Sequence, residues 1–98
     1  MKINTFMVCY DICDPKRLRK VHRVMKGYGI PVQYSIFKCT LSPTNYQRMI
    51  TRVEKEMDLC EDSVMIVDLG PDDGLWKRRV KLIGEKKELN EDEQGYIF

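Results

Sequence analysis

Two capping pairs, Asp14-Pro15 and Ser42-Pro43, constrain the fold of this chain more than any other feature of its sequence. Asp and Ser are favoured N-cap residues, and proline suits the first helical position because an N–H there would have no partner in the helix. After each pair, apolar residues recur at three- and four-residue spacing: Leu18, Val21, Met25 and Tyr28 in the first segment, and Tyr46, Met49, Ile50, Val53 and Met57 in the second. Each pair therefore predicts an amphipathic helix with one buried face.

The apolar segments around these helices predict strands. Residues 3–10 and 64–69 are rich in β-branched, aromatic and other apolar side chains. The later segment is apolar at nearly every position, which is typical of a central strand buried on both faces. Segment 30–41 is compatible with one bent strand or with two short strands that meet near Ser35. A last strand is predicted near residues 79–83.

This order of elements predicts an α+β fold, the ferredoxin-like βαββαβ sandwich, over residues 1–84. Two helices would cover one face of an antiparallel sheet. The other face then needs a cover, and together with an extra C-terminal strand it predicts a homodimer with stacked sheets. Residues 85–98 are charged up to the final Tyr-Ile-Phe, and we expect them to form a separate tail or arm.

Composition limits the class of protein. With 98 residues, 43% of them hydrophobic and 33% charged, the chain matches a single soluble globular domain. Its apolar runs are far shorter than the ~18 residues of a membrane span, so no membrane partner is expected and the predicted location is cytoplasmic. The four cysteines show no Cys-x-x-Cys spacing, and we expect reduced, mostly buried thiols.

The charges are unevenly distributed. Residues 15–53 contain nine Lys or Arg and no Asp or Glu. Ten basic and two acidic residues give residues 1–53 a formal charge of +8, whereas seven basic and thirteen acidic residues give the remainder −6. This asymmetry predicts that the first half binds a polyanion, and we favour nucleic acid over a merely solvated helix face. The candidate contacts on the first helix are Arg17, Arg19, Lys20 and Arg23.

The stretch VCYDICD places a carboxylate, Asp11, where the first strand ends. Such a side chain is fixed by rigid backbone but can still reach solvent and a hard cation such as Mg²⁺. One Asp is too few ligands for a tight site, so we expect Asp11 and its copy in a dimer to share the cation with water and a substrate phosphate. Asp14 is interpreted as a helix cap, and His22 as a packed residue without a chemical role. A structural role for Asp11, as a turn former or second cap, stays open.

The run VCYDICD, the basic helix ending in Tyr-Gly, the motif VQYSIF and the later DSVMIVDLG together resemble the CRISPR-associated protein 2 family over about residues 3–84. The resemblance implies a ferredoxin-like homodimer, strand exchange through the C-terminal segment, and a role beside the CRISPR integrase in acquiring spacers. It also implies a Mg²⁺-dependent endonuclease activity on RNA or DNA in some members. Many members carry Arg shortly before Val-Gln, where this chain has Pro31, so one phosphate contact is expected to be absent.

The resemblance also implies roles for particular residues. Asp11 matches the family's metal-associated, catalytic aspartate. Tyr10 matches the tyrosine before it, and Phe37 the phenylalanine of the second motif, both as supporting residues. Arg17 and Arg19 match basic positions of the first helix, with a register uncertainty of one residue.

Two function classes remain open at this point. The first is a dimeric scaffold that holds duplex DNA for the integrase without cutting it. The second is a Mg²⁺-dependent endonuclease, which includes a toxin-like endoribonuclease of the same fold outside CRISPR adaptation. The residues near Asp11 include no His, second acidic cluster or obvious general base, which favours weak or conditional catalysis. A ferredoxin-like copper carrier is excluded because it needs Cys-x-x-Cys.

Overall fold

The structure, a computed structural model, describes residues 2–84. Its strands are β1 (Asn4–Asp11), β2 (Ile30–Gln33), β3 (Ile36–Leu41) and β4 (Ser63–Pro71), and its helices are α1 (Pro15–Lys26) and α2 (Pro43–Glu56). The strands form one antiparallel sheet in the order β2-β3-β1-β4. The predicted ferredoxin-like βαββαβ order is therefore confirmed. The predicted tail, residues 85–98, lies outside the described residues, and the domain division at residue 84 stays a prediction.

The main core lies between the sheet and the two helices. Val8 from β1 and Phe37 from β3 meet Val21 and Met25 from α1 and Met49 from α2, and all five are almost completely buried. Burying one such side chain contributes about 1.5–3 kcal/mol. The three- and four-residue spacing in each helix thus supplies one apolar face, and the opposite face of α1 is left to charged residues.

Both helices begin at the predicted caps. The Asp14 carboxylate accepts hydrogen bonds from the backbone N–H groups of Lys16 and Arg17, each at 3.0 Å. The Ser42 hydroxyl accepts one from the N–H of Asn45 at 3.2 Å. The cap role of Asp14 is confirmed, and it fixes where α1 starts relative to the end of β1.

Segment 30–41 forms two strands, so the alternative that sequence reasoning left open is resolved. The turn between them contains Tyr34 and Ser35, and Ser35 adopts a positive φ of 60°. The N–H of Tyr10 donates to the carbonyl oxygen of Ser35 at 3.0 Å. This bond ties the turn to the end of β1.

Strand β4 lies at the edge of the sheet, so the prediction of a central strand is wrong. One face of β4 packs on the helix side through Val64 and Ile66. On the other face Met65 and Val67 are 60% and 41% exposed. The continuous apolar run therefore reflects a strand with two apolar faces, and in the single chain the face opposite the helices stays partly exposed to solvent.

After β4 the chain crosses the sheet face that the helices leave open. A short 3₁₀ helix, Trp76–Arg79, places Trp76 against Met7, Val32 and Leu69, where its side chain is 2% exposed. Residues 80–84 form no strand, so the extra C-terminal strand predicted near residues 79–83 is wrong for this sheet. Burial of the indole on the open face directs the backbone across the strands rather than along β4.

The cysteines and the helices of residues 2–84 bear on two further expectations. All four cysteines are free thiols, but Cys39 alone is fully buried, whereas Cys13 and Cys60 are exposed, so the prediction of mostly buried thiols is wrong. Neither helix of this part of the chain has the length and apolar character that a membrane crossing requires.

Candidate functional site

The carboxylate of Asp11 is exposed at the end of β1. Tyr10 points into the helix-side core, and because side chains alternate along a strand, Asp11 points to the open face of the sheet. Its partner across the ladder is Ser63 of β4. The end of β1 thus presents its carboxylate on the face where the sequence predicts a second copy of the chain.

Both acidic and basic side chains lie close to Cys13, two residues after Asp11. Partial desolvation raises the pKa of the nearby Cys13 thiol, and the charges of Asp62, Asp11 and Glu61 raise it further, while Arg17 lowers it. Within residues 2–84, however, no three His, Cys, Asp or Glu side chains converge where they could hold a metal ion. Asp11 would therefore be one ligand among several supplied from outside this part of the chain.

Arg17, predicted as a phosphate contact, is engaged inside the fold. Its Nε donates to Oδ2 of Asp62 at 2.8 Å, and Nη2 donates to Oδ1 of Asp62 at 3.2 Å and to Oε1 of Glu61 at 3.1 Å. The side chain is only 26% exposed. Such a bidentate ion pair fixes the guanidinium, and its positive charge is already paired with a carboxylate rather than open to a phosphate.

Asp62 is the centre of this network. It also accepts hydrogen bonds from the backbone N–H of Cys13 at 2.9 Å and of Asp58 at 2.8 Å. The hydrogen bonds from Arg17 hold the pKa of the Asp62 carboxyl well below its ordinary value, and the two backbone N–H groups lower it further. The network joins the loop before β4 to the start of α1, and sequence reasoning missed it because Arg17 and Asp62 are 45 residues apart.

The other basic residues of α1 form an exposed stripe. We call the basic stripe the five exposed cations Lys16, Arg19, Lys20, Arg23 and Lys26. At 100° per residue they fall within about 120° of the helix circumference, and ten residues at 1.5 Å rise span about 15 Å. The predicted contacts Arg19, Lys20 and Arg23 thus lie together on one surface.

A groove of about 390 Å³ lies beside this stripe, and we call it the α1 groove. Its lining residues are Tyr10, Leu18, Arg19, His22, Arg23, Lys26, Tyr34 and Ser35. It brings the cationic face of α1 together with the end of β1 and the β2–β3 turn. The described lining contains no carboxylate.

His22, to which the sequence assigned no chemistry, is bonded inside this groove. Its Nδ1 lies 2.9 Å from the Tyr10 hydroxyl, and its ring meets Phe37 edge-on with 5.3 Å between ring centres. Desolvation raises the pKa of Tyr10 to about 12, with a contribution from Tyr34, and desolvation followed by Lys26 lowers the pKa of His22. The only sequence signal was the position of His22 beside the apolar stripe.

The structure brings Tyr10 and Phe37 together but separates both from Asp11. The Tyr10 and Phe37 rings stack in the helix-side core with 6.2 Å between their centres. The predicted site is thus divided between two faces of the sheet: the aromatic pair supports the α1 groove, and Asp11 stands on the open face.

Comparison with known proteins identifies the family of this chain. The family model for the CRISPR associated protein Cas2 matches residues 4–74. The chain is 44% identical over 68 residues to the CRISPR-associated endoribonuclease Cas2 1 of Rhodospirillum rubrum, a match covering 69% of this chain and 67% of that protein. It is 34% identical over 80 residues to the CRISPR-associated endoribonuclease Cas2 of Geobacter sulfurreducens, covering 82% and 83%.

A solved structure agrees with the sequence matches. The crystal structure of Streptococcus pyogenes Cas2 at pH 6.5 superposes with a TM-score of 0.72 at 33% identity, covering 82% of this chain and 99% of that one. Sequence and fold therefore agree, and the chain belongs to the CRISPR-associated protein Cas2 family.

Proposed function

We propose that this chain is a dimeric nucleic-acid-binding component of CRISPR adaptation that holds duplex DNA for the CRISPR integrase. The observation that carries the proposal is the basic stripe, five exposed cations on one face of α1. The acids Glu61 and Asp62 of the loop before β4 are paired with Arg17, which lies outside the stripe. A row of cations about 15 Å long can contact several phosphates of a nucleic-acid backbone. Because phosphates carry no sequence information, such contacts give binding that does not depend on sequence.

Duplex binding is tested first by fluorescence anisotropy with a labelled DNA duplex. We expect binding that weakens steeply with salt and differs little between unrelated sequences. Failure to bind any duplex at low ionic strength would contradict it. The integrase partnership is supported by family membership and is tested by co-purification with a CRISPR integrase from the same source.

The dimer is supported by the open face of the sheet. Met65 and Val67 are exposed there beside Cys9 and the cluster around Trp76, and an apolar patch of this kind is typical of a protein interface. We expect light scattering at micromolar concentration to give twice the 11.6 kDa chain mass. Val67→Glu should shift the protein toward monomer because it buries a charge in the interface. Leu59→Glu is the matched control, since Leu59 is 70% exposed and lies on the helix side of the sheet beside Val53 and Val64.

The second candidate function is Mg²⁺-dependent phosphodiester cleavage at Asp11. It is supported by the exposed carboxylate at the rigid end of β1 and by the names of the curated relatives. Oxygen ligands suit Mg²⁺, but Asp11 supplies only one carboxylate, so the partner's copy, water and substrate phosphate would complete the site. When bound, the cation would polarise the phosphate and lower the pKa of an attacking water.

Asp11→Asn tests this second candidate. The change keeps the size of the side chain and removes its charge, so Mg²⁺-dependent cleavage should fall to the level seen with chelator while duplex binding is retained. Asp72→Asn is the matched control because Asp72 is an exposed acid that directly follows a strand, β4. Cleavage by the Asp11→Asn variant at the parent rate, in preparations free of contaminating nuclease, would show that Asp11 is structural.

A further inference from the structure

The α1 groove contains an exposed aromatic ring, which the basic stripe lacks. Tyr34 is 83% exposed, although aromatic side chains usually bury most of their surface. Its position is fixed by the tight β2–β3 turn, where Ser35 adopts a positive φ and its carbonyl accepts from the N–H of Tyr10. The turn therefore fixes the backbone that carries the ring beside the groove.

The groove also offers charge and hydrogen bonds. Arg19, Arg23 and Lys26 line it with exposed side chains, which can reach a phosphate that enters the groove. The Tyr10 hydroxyl keeps its proton at neutral pH and can donate to Nδ1 of His22, which leaves the proton of the neutral ring on Nε2. A volume of about 390 Å³ is within the range of small-ligand sites.

We propose that the α1 groove binds one unpaired nucleotide, with its phosphate at Arg19, Arg23 and Lys26 and its base stacked on Tyr34. Stacking on an aromatic side chain requires an open base face, and the base faces of a duplex are already stacked on each other. A paired strand would therefore use the cations alone. This inference rests on the proposed nucleic-acid function and adds the kind of nucleic acid.

The groove and the basic stripe share Arg19, Arg23 and Lys26, so both can act on one molecule. The ligand that the groove itself selects is an unpaired nucleotide, because Tyr34 offers a stacking surface only to an open base face. Unpaired RNA and DNA share the phosphate and the base face that this site contacts.

Tyr34→Ala and Tyr34→Phe test the proposal by anisotropy with two probes, a blunt duplex and the same duplex with a short single-stranded extension. Tyr34→Ala should weaken binding of the extended probe about tenfold and leave the blunt probe unchanged, whereas Tyr34→Phe should keep parent affinity because it keeps the ring. Leu59→Ala is the control for loss of an exposed apolar side chain elsewhere. Since Tyr34 and Leu59 are both exposed, unchanged thermal melting is expected for all three variants.

A second readout reports stacking directly. A fluorescent 2-aminopurine in the extension should be quenched when the parent or the Tyr34→Phe protein binds, and not when Tyr34→Ala binds. Equal loss on both probes, or no loss on the extended probe, would overturn the inference while leaving duplex binding intact. If the parent protein binds neither probe, the proposed function fails and the inference fails with it.

Discussion

Neutralising three cations of the basic stripe should flatten the salt dependence of duplex binding. We consider the triple variant Arg19→Gln, Lys20→Gln and Arg23→Gln, whose three parent side chains are exposed on one face of α1. Each phosphate contact contributes about 0.9 to the slope of log K against log salt, so the slope should fall by up to ~2.7 for each protomer in contact. Between about 50 and 200 mM salt, that difference changes the relative affinity of parent and variant roughly 40-fold.

The assay is anisotropy with a blunt duplex at four or more salt concentrations. The matched control neutralises three exposed cations of α2, Arg48, Arg52 and Lys55, with the same change in net charge. If binding depends on the stripe, the control should change the slope much less. An unchanged slope in the α1 variant, or an equal change in the control, would refute the assignment and indicate a response to net charge alone.

Three further predictions concern the scaffold beneath the site. The pKa of Asp62 is lower in the folded protein than its ordinary value of 3.8. The ionised carboxylate therefore stabilises the fold above pH 3.8, and this stabilisation is lost as the pH falls from there toward the folded pKa. The urea midpoint of the parent should drop below about pH 5, and that of Asp62→Asn should drop less. Gly29→Ala would press a Cβ against the Lys38 carbonyl oxygen and should lower the free energy of unfolding by about 1–3 kcal/mol. In Gly27→Ala the Cβ would lie 3.3 Å from the Val24 carbonyl oxygen, so this control should lower the melting temperature less. Equal melting temperatures would contradict the close approach at Gly29. Phe37→Ala should cost about 3–5 kcal/mol in chemical unfolding, because the side chain is completely buried, and a loss below ~1 kcal/mol would show that the core there is loosely packed.

The parts of the fold that the sequence predicts are those set by local interactions. Asp14 and Ser42 cap helices through N–H groups two or three residues away, and the apolar spacing after each cap determines the buried helix face. These signals lie within a few residues of each other. They are therefore readable without knowledge of the tertiary structure.

The errors arise where distant parts of the chain meet. Strand β4 is apolar on both faces, but its pattern does not specify whether a neighbouring strand exists, so its edge position was missed. Trp76 finds its place only after the open sheet face has formed, and this determines the path of the residues where a last strand was predicted. Sequence spacing does not encode such contacts.

The candidate site shows the same division. The periodicity of β1 and α1 predicts that Asp11 and the stripe cations are exposed, and all of them are. Arg17 has the same periodicity as a surface cation, yet Asp62 binds it across 45 residues. The bond between His22 and Tyr10 likewise joins a helix to a strand, and neither residue type alone signals it.

Spacer integration by the reconstituted complex tests most directly whether the basic stripe holds the duplex for the integrase. The assay combines the purified integrase, a duplex donor and a target containing a repeat, and it compares the parent chain with Asp11→Asn and with the Arg19, Lys20 and Arg23 triple variant. We expect integration that requires this chain, that persists in Asp11→Asn, and that falls in the triple variant. Integration that proceeds equally well with the triple variant, or without this chain, would contradict the proposal that its basic stripe holds the duplex for the integrase.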